Sequence, residues 1–317
     1  MPILVKGAGV AGLTVAHELW SRGHDVALFD PVGGHRHAAS WYAGGMLAPY
    51  CERESAEQAV VDLGAGAADW WDAALPGLVR RNGTLVVAPA RDTGELRRFA
   101  GRTTGFEPVD HAKIAALEPD LAENFRSGLF FGQEAHLDPR NALMQLRTKL
   151  AAAGVEFHAA APDVAAYDRT VDCSGMAARL SGLRGVRGEM LLLRTAELSL
   201  ARPVRLIHPR FPLYIVPRDD NMFMVGATMI ESDQSGPIRA RSLMELLNAA
   251  YALHPAFGEA ELVETGVGIR PAYADNLPRV SRDGATIHIN GLYRHGFLLA
   301  PAMAVRAAGL IENEEKP

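Results

Sequence analysis

Apolar and polar positions follow two rhythms along this chain. The opening PILVK is a nearly unbroken apolar run, and Ile3–Lys6 predicts a short buried strand. Ala11–Ser21 then takes helical spacing, with Leu13, Ala16 and Leu19–Trp20 on one face and Gly23 as a C-terminal stop. Val26–Phe29 predicts a second strand, closed by Asp30-Pro31. Residues 31–49 carry two glycine pairs and little periodicity, so they read mostly as loop. Helical spacing returns over 55–80, with Trp70 and Trp71 turned inward. GTLVVAPA at 83–90 predicts a strand, polar helices run on to about 127, and 141–154 is an amphipathic helix with a glycine stop. VEFHA and RTVDCSG predict short strands that re-enter the first sheet.

From about 186 to 230 the rhythm changes. GEMLLLRT, VRLIHP, LYIVPR and MFMVGATM are strand-like runs separated by turns such as Asp219-Asp220-Asn221, which predicts antiparallel sheet. Residues 240–253 read as helix, 261–271 and 285–291 as strands, and GLYRHGFLLAPAMA at 291–304 places a helix start near Pro301. The fold class expected is α/β. A Rossmann-like nucleotide domain is assembled from 1–50, 136–185 and 265–317, and an antiparallel-sheet α+β domain from 51–135 and 186–264 is inserted in it.

A hydrophobic content of 48% over 317 residues supports a core of that size. Net charge is −5 with no basic stripe, which excludes nucleic acid as a partner. Cys51 and Cys173 make no disulfide framework, and with a strand at the N-terminus this points to a reducing cytoplasm. No apolar run reaches membrane-spanning length, so no membrane association is expected. The tail NEEKP reads as frayed. His24, His35 and His37 lack a third ligand at regular spacing, so no metal is expected.

GAGVAG places Gly7, Gly9 and Gly12 between a strand and a helix. That context gives G-x-G-x-x-G its meaning as a dinucleotide fingerprint. Gly7 permits the turn, Gly9 lets backbone approach a pyrophosphate with Val10 and Ala11 behind it, and Gly12 lets helix pack on strand. Asp30, ending the second strand, suits an unphosphorylated ribose, so the motif leaves FAD and NAD open. The Gly-bracketed Arg294–His295 turn before an apolar helix would present free N–H groups and a positive dipole end to an anion.

The fingerprint, YAGGMLAP at 42–49, VDCSG at 171–175, YIVPR and VGATM within 214–229, GIRP at 268–271 and GLYRHGFLLAPA at 291–302 resemble the D-amino-acid oxidase superfamily. They are most similar to its glycine oxidases of thiamine biosynthesis. The resemblance runs in order over nearly the whole chain. It implies a glutathione-reductase-type FAD domain and an oxidase of small amino acids. Glycine would pass hydride to flavin N5 and become iminoacetate, O2 would reoxidise the flavin to give peroxide, and a thiazole synthase would be a partner. It also implies a homo-oligomer.

By the same resemblance, Arg270 grips the substrate carboxylate, where the residues alone leave an ordinary salt-bridge arginine open. Tyr214 closes the pocket or packs in its sheet, and Met229 lines the pocket or belongs to the core. Arg294 helps hold the carboxylate or lies in solvent. Gly44, Gly45 and Met46 let backbone approach the N5 side, and Gly175 closes the strand beneath the nucleotide. Arg294, His295, Gly296, Phe297, Leu298 and Leu299 face the pyrimidine edge of the flavin. Tyr42 stands where some relatives carry a tethering histidine, and no cysteine lies near GIRP, so the FAD is expected to be dissociable. The chain departs from the family in its shortness, as between Val155 and Val171, and in Pro212, two residues before Tyr214. The rival readings are a sarcosine or D-amino-acid oxidase, a dehydrogenase of the superfamily, a flavin-binding module without turnover, and an NAD-dependent dehydrogenase.

Overall fold

The computed structural model describes residues 1–33, 37–207 and 213–314. His35, Pro212 and the last three residues of the tail lie outside them. Two sheets organise the chain. The first has six strands in the order 279–283, 286–290, 169–172, 2–6, 25–29, 156–158, and all neighbours are parallel except the first pair. Pro2–Lys6 is central because Ile3, Leu4 and Val5 are apolar on both faces and fully buried. The helices Val10–Ser21, Pro139–Ala152 and Gly296–Glu314 share one core with it, in which Leu13, Leu146 and Met303 are fully buried.

The second sheet runs 230–231, 184–194, 222–226, 213–217, 204–206, 84–87, 127–131, 107–110, and Glu261–Ala272 pairs along the other side of Arg184–Arg194. Only the junction of 204–206 with 84–87 is parallel. The helix Ala240–Leu253 covers one face through Leu246, Ala249, Ala250 and Leu253.

Several elements differ from the sequence reading. The helical region 55–80 breaks into Gln58–Gly64 and Ala67–Ala74, with Gly66 between them. Within the region read as polar helices, Glu107–Asp110 is a strand, held at the edge of the second sheet by pairing with Ser127–Phe131, a strand that follows that region. The helix read as 141–154 starts at Pro139, because the Asp138 carboxylate accepts from the N–H groups of Arg140 (2.7 Å) and Asn141 (3.1 Å). The loop 31–49 contains a 3-10 turn at Ala39–Tyr42 and a short strand, Met46–Leu47, paired with Ala135–His136. The run read as MFMVGATM leaves its sheet after Gly226.

Pro301 lies inside the last helix, which begins five residues earlier at Gly296. A proline there has no N–H for the carbonyl of Phe297 one turn back. The indole Nε1–H of fully buried Trp71 fills that place, donating to the Phe297 carbonyl at 2.9 Å. Trp70 is less buried and donates to Glu18 at 3.0 Å.

Candidate functional site

The carboxyl ends of the strands 2–6, 25–29 and 169–172 open onto a cavity of ≈ 530 Å³. Strand order reverses on either side of Pro2–Lys6, so the cavity sits at the switch point of the parallel sheet. Gly7 turns the chain with φ +96°, and a Cβ there would lie 2.7 Å from the Cys173 carbonyl oxygen. A Cβ on Gly12 would collide with the carbonyl of Gly7, which is why the helix can sit directly on the loop. Gly9 is different. Its nearest neighbour would be Ser40 Oγ at 3.5 Å, so the backbone here is open to a ligand. No side chain of Gly9 caps the helix, and the Val10 N–H donates to Ser40 Oγ at 3.2 Å. Asp30 is buried beside this loop, and its Oδ2 accepts from Arg147 at 3.0 Å. The Arg147 guanidinium also lies over the Phe157 ring at 4.2 Å, so the carboxylate is held in one rotamer.

A second helix start borders the same cavity. Gly296, Phe297 and Leu298 line it, and among the described residues their N–H groups find no acceptor. Leu299 is fully buried behind them and does not line the cavity, nor does Gly12. Two positive dipole ends thus meet one space. Gly175, with φ +62°, lines it as well, and its carbonyl accepts from Asn290 at 2.9 Å.

The remaining wall comes from the second sheet. Arg270, near the end of Glu261–Ala272, lines the cavity and donates to the Thr228 carbonyl at 2.9 Å. Among the described residues no carboxylate pairs with it. Burial pulls its pKa below the usual arginine range, although the Tyr214 and Tyr293 hydroxyls act in the opposite direction. Tyr214 also lines the cavity, its ring lying over Gly44, where a Cβ would come 2.7 Å from Cε2. Gly45 has φ +73° and passes under Pro139, and Met46 follows at the wall. Arg218 supports this turn by donating to the Gly44 carbonyl at 2.8 Å.

Met229 is not in the wall. It stands at the rim, 38% exposed, where its sulfur accepts from Tyr293 OH (3.3 Å) and Arg294 (3.4 Å). Arg294 lines the cavity but is paired with Glu52 at 2.5 Å, and it also donates to Ser55 Oγ at 2.8 Å.

Glu52 and Arg205 escaped the sequence reading. Arg205 lies buried in a strand of apolar neighbours, donating to Glu52 Oε1 (2.9 Å) and to the Cys51 carbonyl (3.0 Å). A lone arginine in the apolar run VRLI was the available signal; Glu52 offered none. His295 Nε2 lies 2.9 Å from Glu52 Oε2. Burial acts to raise the Glu52 pKa, but Arg294, Arg205 and His295 outweigh it and hold the carboxyl well below its usual range. Burial, opposed by Glu52, lowers the pKa of His295. Burial likewise pushes the thiols of Cys51 and Cys173 well up, so neither carries a reactive thiolate. Among the described residues no three metal-ligating side chains cluster, and no helix is long and apolar enough to cross a membrane.

The profile of the DAO family, FAD dependent oxidoreductase, matches residues 2–310. The chain belongs to that family. It is 64% identical over 320 residues to a Rhizobium etli protein provisionally named thiamine biosynthesis oxidoreductase ThiO, covering 99% of this chain and 98% of that one. It is 24% identical over 355 residues to a bifunctional ThiO/ThiG protein of a Nostoc species, covering 99% of this chain and 53% of that protein. The crystal structure of a glycine oxidase from Geobacillus kaustophilus shares the fold, with a TM-score of 0.81 at 23% identity over 98% of this chain and 94% of that one.

The chain is therefore an FAD-dependent oxidoreductase, and its cavity fits that cofactor on its own geometry. Gly9 leaves an open cradle where a pyrophosphate would lie, an oriented buried carboxylate awaits a ribose, and a second helix start borders the far end.

Proposed function

We propose that this protein oxidises glycine, or an amino acid of similar size, at its amine-bearing carbon, giving the imine and, with O2, hydrogen peroxide. The observation that carries this is Arg270. Its guanidinium lines the cavity with one backbone carbonyl as partner and no carboxylate among the described residues. A buried cation in that state is matched by a carboxylate that arrives with the ligand. The other arginines at the wall, Arg205 and Arg294, share the Glu52 carboxylate, whereas Arg270 has none among the described residues, so the carboxylate role falls to Arg270.

Bound FAD would supply the hydride acceptor. Gly7, Gly9 and the start of Val10–Ser21 would hold its pyrophosphate, Asp30 its ribose, and Gly296–Leu298 the far end of the ring system. It would be held without a covalent link. Arg270 would fix the substrate carboxylate, and Tyr214 would cover it. Beside Arg270, neither Glu52 nor His295 is free to act as a base, because Glu52 is paired with three cationic or polar partners and His295 is engaged with it. The amine would therefore lose its proton before the carbon gives up hydride. In this reading 1–50, 136–185 and 265–317 form most of the cofactor domain and 51–135 and 186–264 most of the substrate domain, except that the helices Gln58–Gly64 and Ala67–Ala74 pack in the core of the first sheet and the strand Glu261–Ala272 runs whole in the second. The fusion of ThiO with ThiG in the Nostoc relative supports a place in thiamine synthesis, with the imine passing to a thiazole synthase.

The test is anaerobic stopped-flow mixing of the FAD-loaded protein with glycine, sarcosine or D-alanine, followed by air. Bleaching by glycine and recovery with peroxide are expected, and Arg270→Ala should raise the glycine KM about 100-fold or more. A flavin untouched by all three amines would refute the substrate class. Bleaching without recovery in air would make the protein a dehydrogenase.

A further inference from the structure

We infer that Gly188 is the seat of the Arg270 guanidinium, and so a positioning residue for the substrate carboxylate. The inference rests on the reading of Arg270 given above. In the pairing of Arg184–Arg194 with Glu261–Ala272, Arg270 stands opposite Val186. Val186 and Gly188 share one face of their strand, and so does the partner of Val186. The Arg270 side chain runs along that face and ends on Gly188. The three heavy atoms nearest to a Cβ built at Gly188 are Nη2, Cζ and Nη1 of Arg270, with Nη1 at 2.7 Å. The other two lie closer still. No backbone atom is among them.

Gly188 is absent from the left-handed positions of this chain, so its backbone makes no demand for glycine. What a side chain here would meet first is the guanidinium, at a position that also lines the cavity. The flat head rests on a bare backbone, which sets its plane and leaves its edge for a ligand.

The residues on either side of Gly188 point the other way and fix the seat. Glu189 is fully buried; its carboxylate accepts from Arg187 Nε (2.8 Å) and from the Arg239 N–H (3.1 Å). Arg187 ties the loop below by donating to the carbonyls of Gln234 (2.7 Å) and Pro237 (2.6 Å). The Glu189 backbone is locked to Thr228 in both directions: its N–H donates to Thr228 Oγ1 (2.9 Å), and its carbonyl accepts from the Thr228 N–H (3.1 Å). The Thr228 carbonyl is the group that receives Arg270. One short stretch, Arg187-Gly188-Glu189, therefore supplies both the surface beneath the guanidinium and the anchor for its hydrogen-bond partner.

The experiment uses FAD-loaded protein and acetate, a carboxylate without the amine, with binding measured by calorimetry. Gly188→Ala is expected to weaken acetate about 10–100-fold, as a head group displaced by an ångström or more loses its alignment. The FAD dissociation constant and the melting temperature should stay near wild type, because the collision is with the movable end of a side chain. In an Arg270→Ala background, Gly188→Ala should add nothing. Thr228→Val should weaken acetate by about 3–10-fold, and Thr228→Ser should restore it. Unchanged acetate binding in Gly188→Ala, beside a clear loss in Arg270→Ala, would overturn the inference and leave the proposed function standing. An equal loss from Gly188→Ala in the Arg270→Ala background would also overturn it, since Gly188 would then act on the ligand directly. Acetate and glycine binding indifferent to Arg270→Ala would instead sink the carboxylate reading itself.

Discussion

The Trp71 indole and the ring of Pro301 form a pair whose coupling can be measured. Pro301 cannot donate to the Phe297 carbonyl, and Trp71 Nε1–H occupies that carbonyl at 2.9 Å in a fully buried setting. Trp71→Phe removes the donor and leaves the oxygen unsatisfied, which costs about 1–3 kcal/mol. The lost ring area and the space left behind add about 1–2 kcal/mol. Trp71→Phe alone should therefore destabilise by roughly 2–5 kcal/mol. In a Pro301→Ala background the new backbone N–H can take the carbonyl, since residue 301 is four positions after 297. Only the packing loss should then remain, so the two changes should couple by about 1–3 kcal/mol. Urea unfolding of all four proteins at saturating, equal FAD would give the cycle, the fixed ligand being needed because binding itself adds stability. Additivity within about 0.5 kcal/mol would refute the argument that the indole stands in for the missing N–H.

Three further outcomes follow from the same geometry. Burial raises the Glu134 carboxyl to about 7, so its contribution is full below the unfolded value of 4.5 and is lost as pH rises through the folded one. Glu134→Gln should match wild type near pH 4.5 and be more stable by about 2–3 kcal/mol above pH 7, and a pH-independent difference in chemical denaturation would count against this. Arg147→Leu frees the Asp30 carboxylate from its fixed rotamer and should weaken FAD about 10-fold in a fluorescence titration, with unchanged affinity as the contrary result. His295→Ala should leave the pH profile of flavin reduction by substrate close to wild type, because the imidazole is held by Glu52; a collapse of the rate would make it the missing base.

Much of the nucleotide side was legible in the sequence, since each step there is local. GAGVAG must follow a strand and open a helix, and the acidic residue must end the next strand. The amphipathic helix before Gly154 was visible too, but not its start, because Asp138-Pro139 caps from outside the apolar pattern. The edge strand Glu107–Asp110 and its neighbour Ser127–Phe131 were not legible, because cross-strand pairing rather than a local pattern creates them. At the site, Arg270 and Tyr214 reach the cavity wall, whereas Met229 stands at the rim. Glu52 and Gly188 were invisible for one reason. Each matters through a side chain that arrives from more than 80 residues away, Arg205 in one case and Arg270 in the other.

The six-stranded sheet draws its strands from both ends of the described chain, and this orders events during synthesis. Residues 2–29 emerge early, but 169–172 and 286–290 complete the sheet around them, and the helix Gly296–Glu314 packs on Val10–Ser21. At roughly 5–20 residues per second, the fingerprint waits for about 280 residues, some 15–60 s, before that helix exists to cover it. The nine-stranded sheet, drawn entirely from 84–272, has all its partners sooner. Completion therefore runs opposite to synthesis: the sheet begun first receives its last strand and covering helix after the other sheet has all its partners.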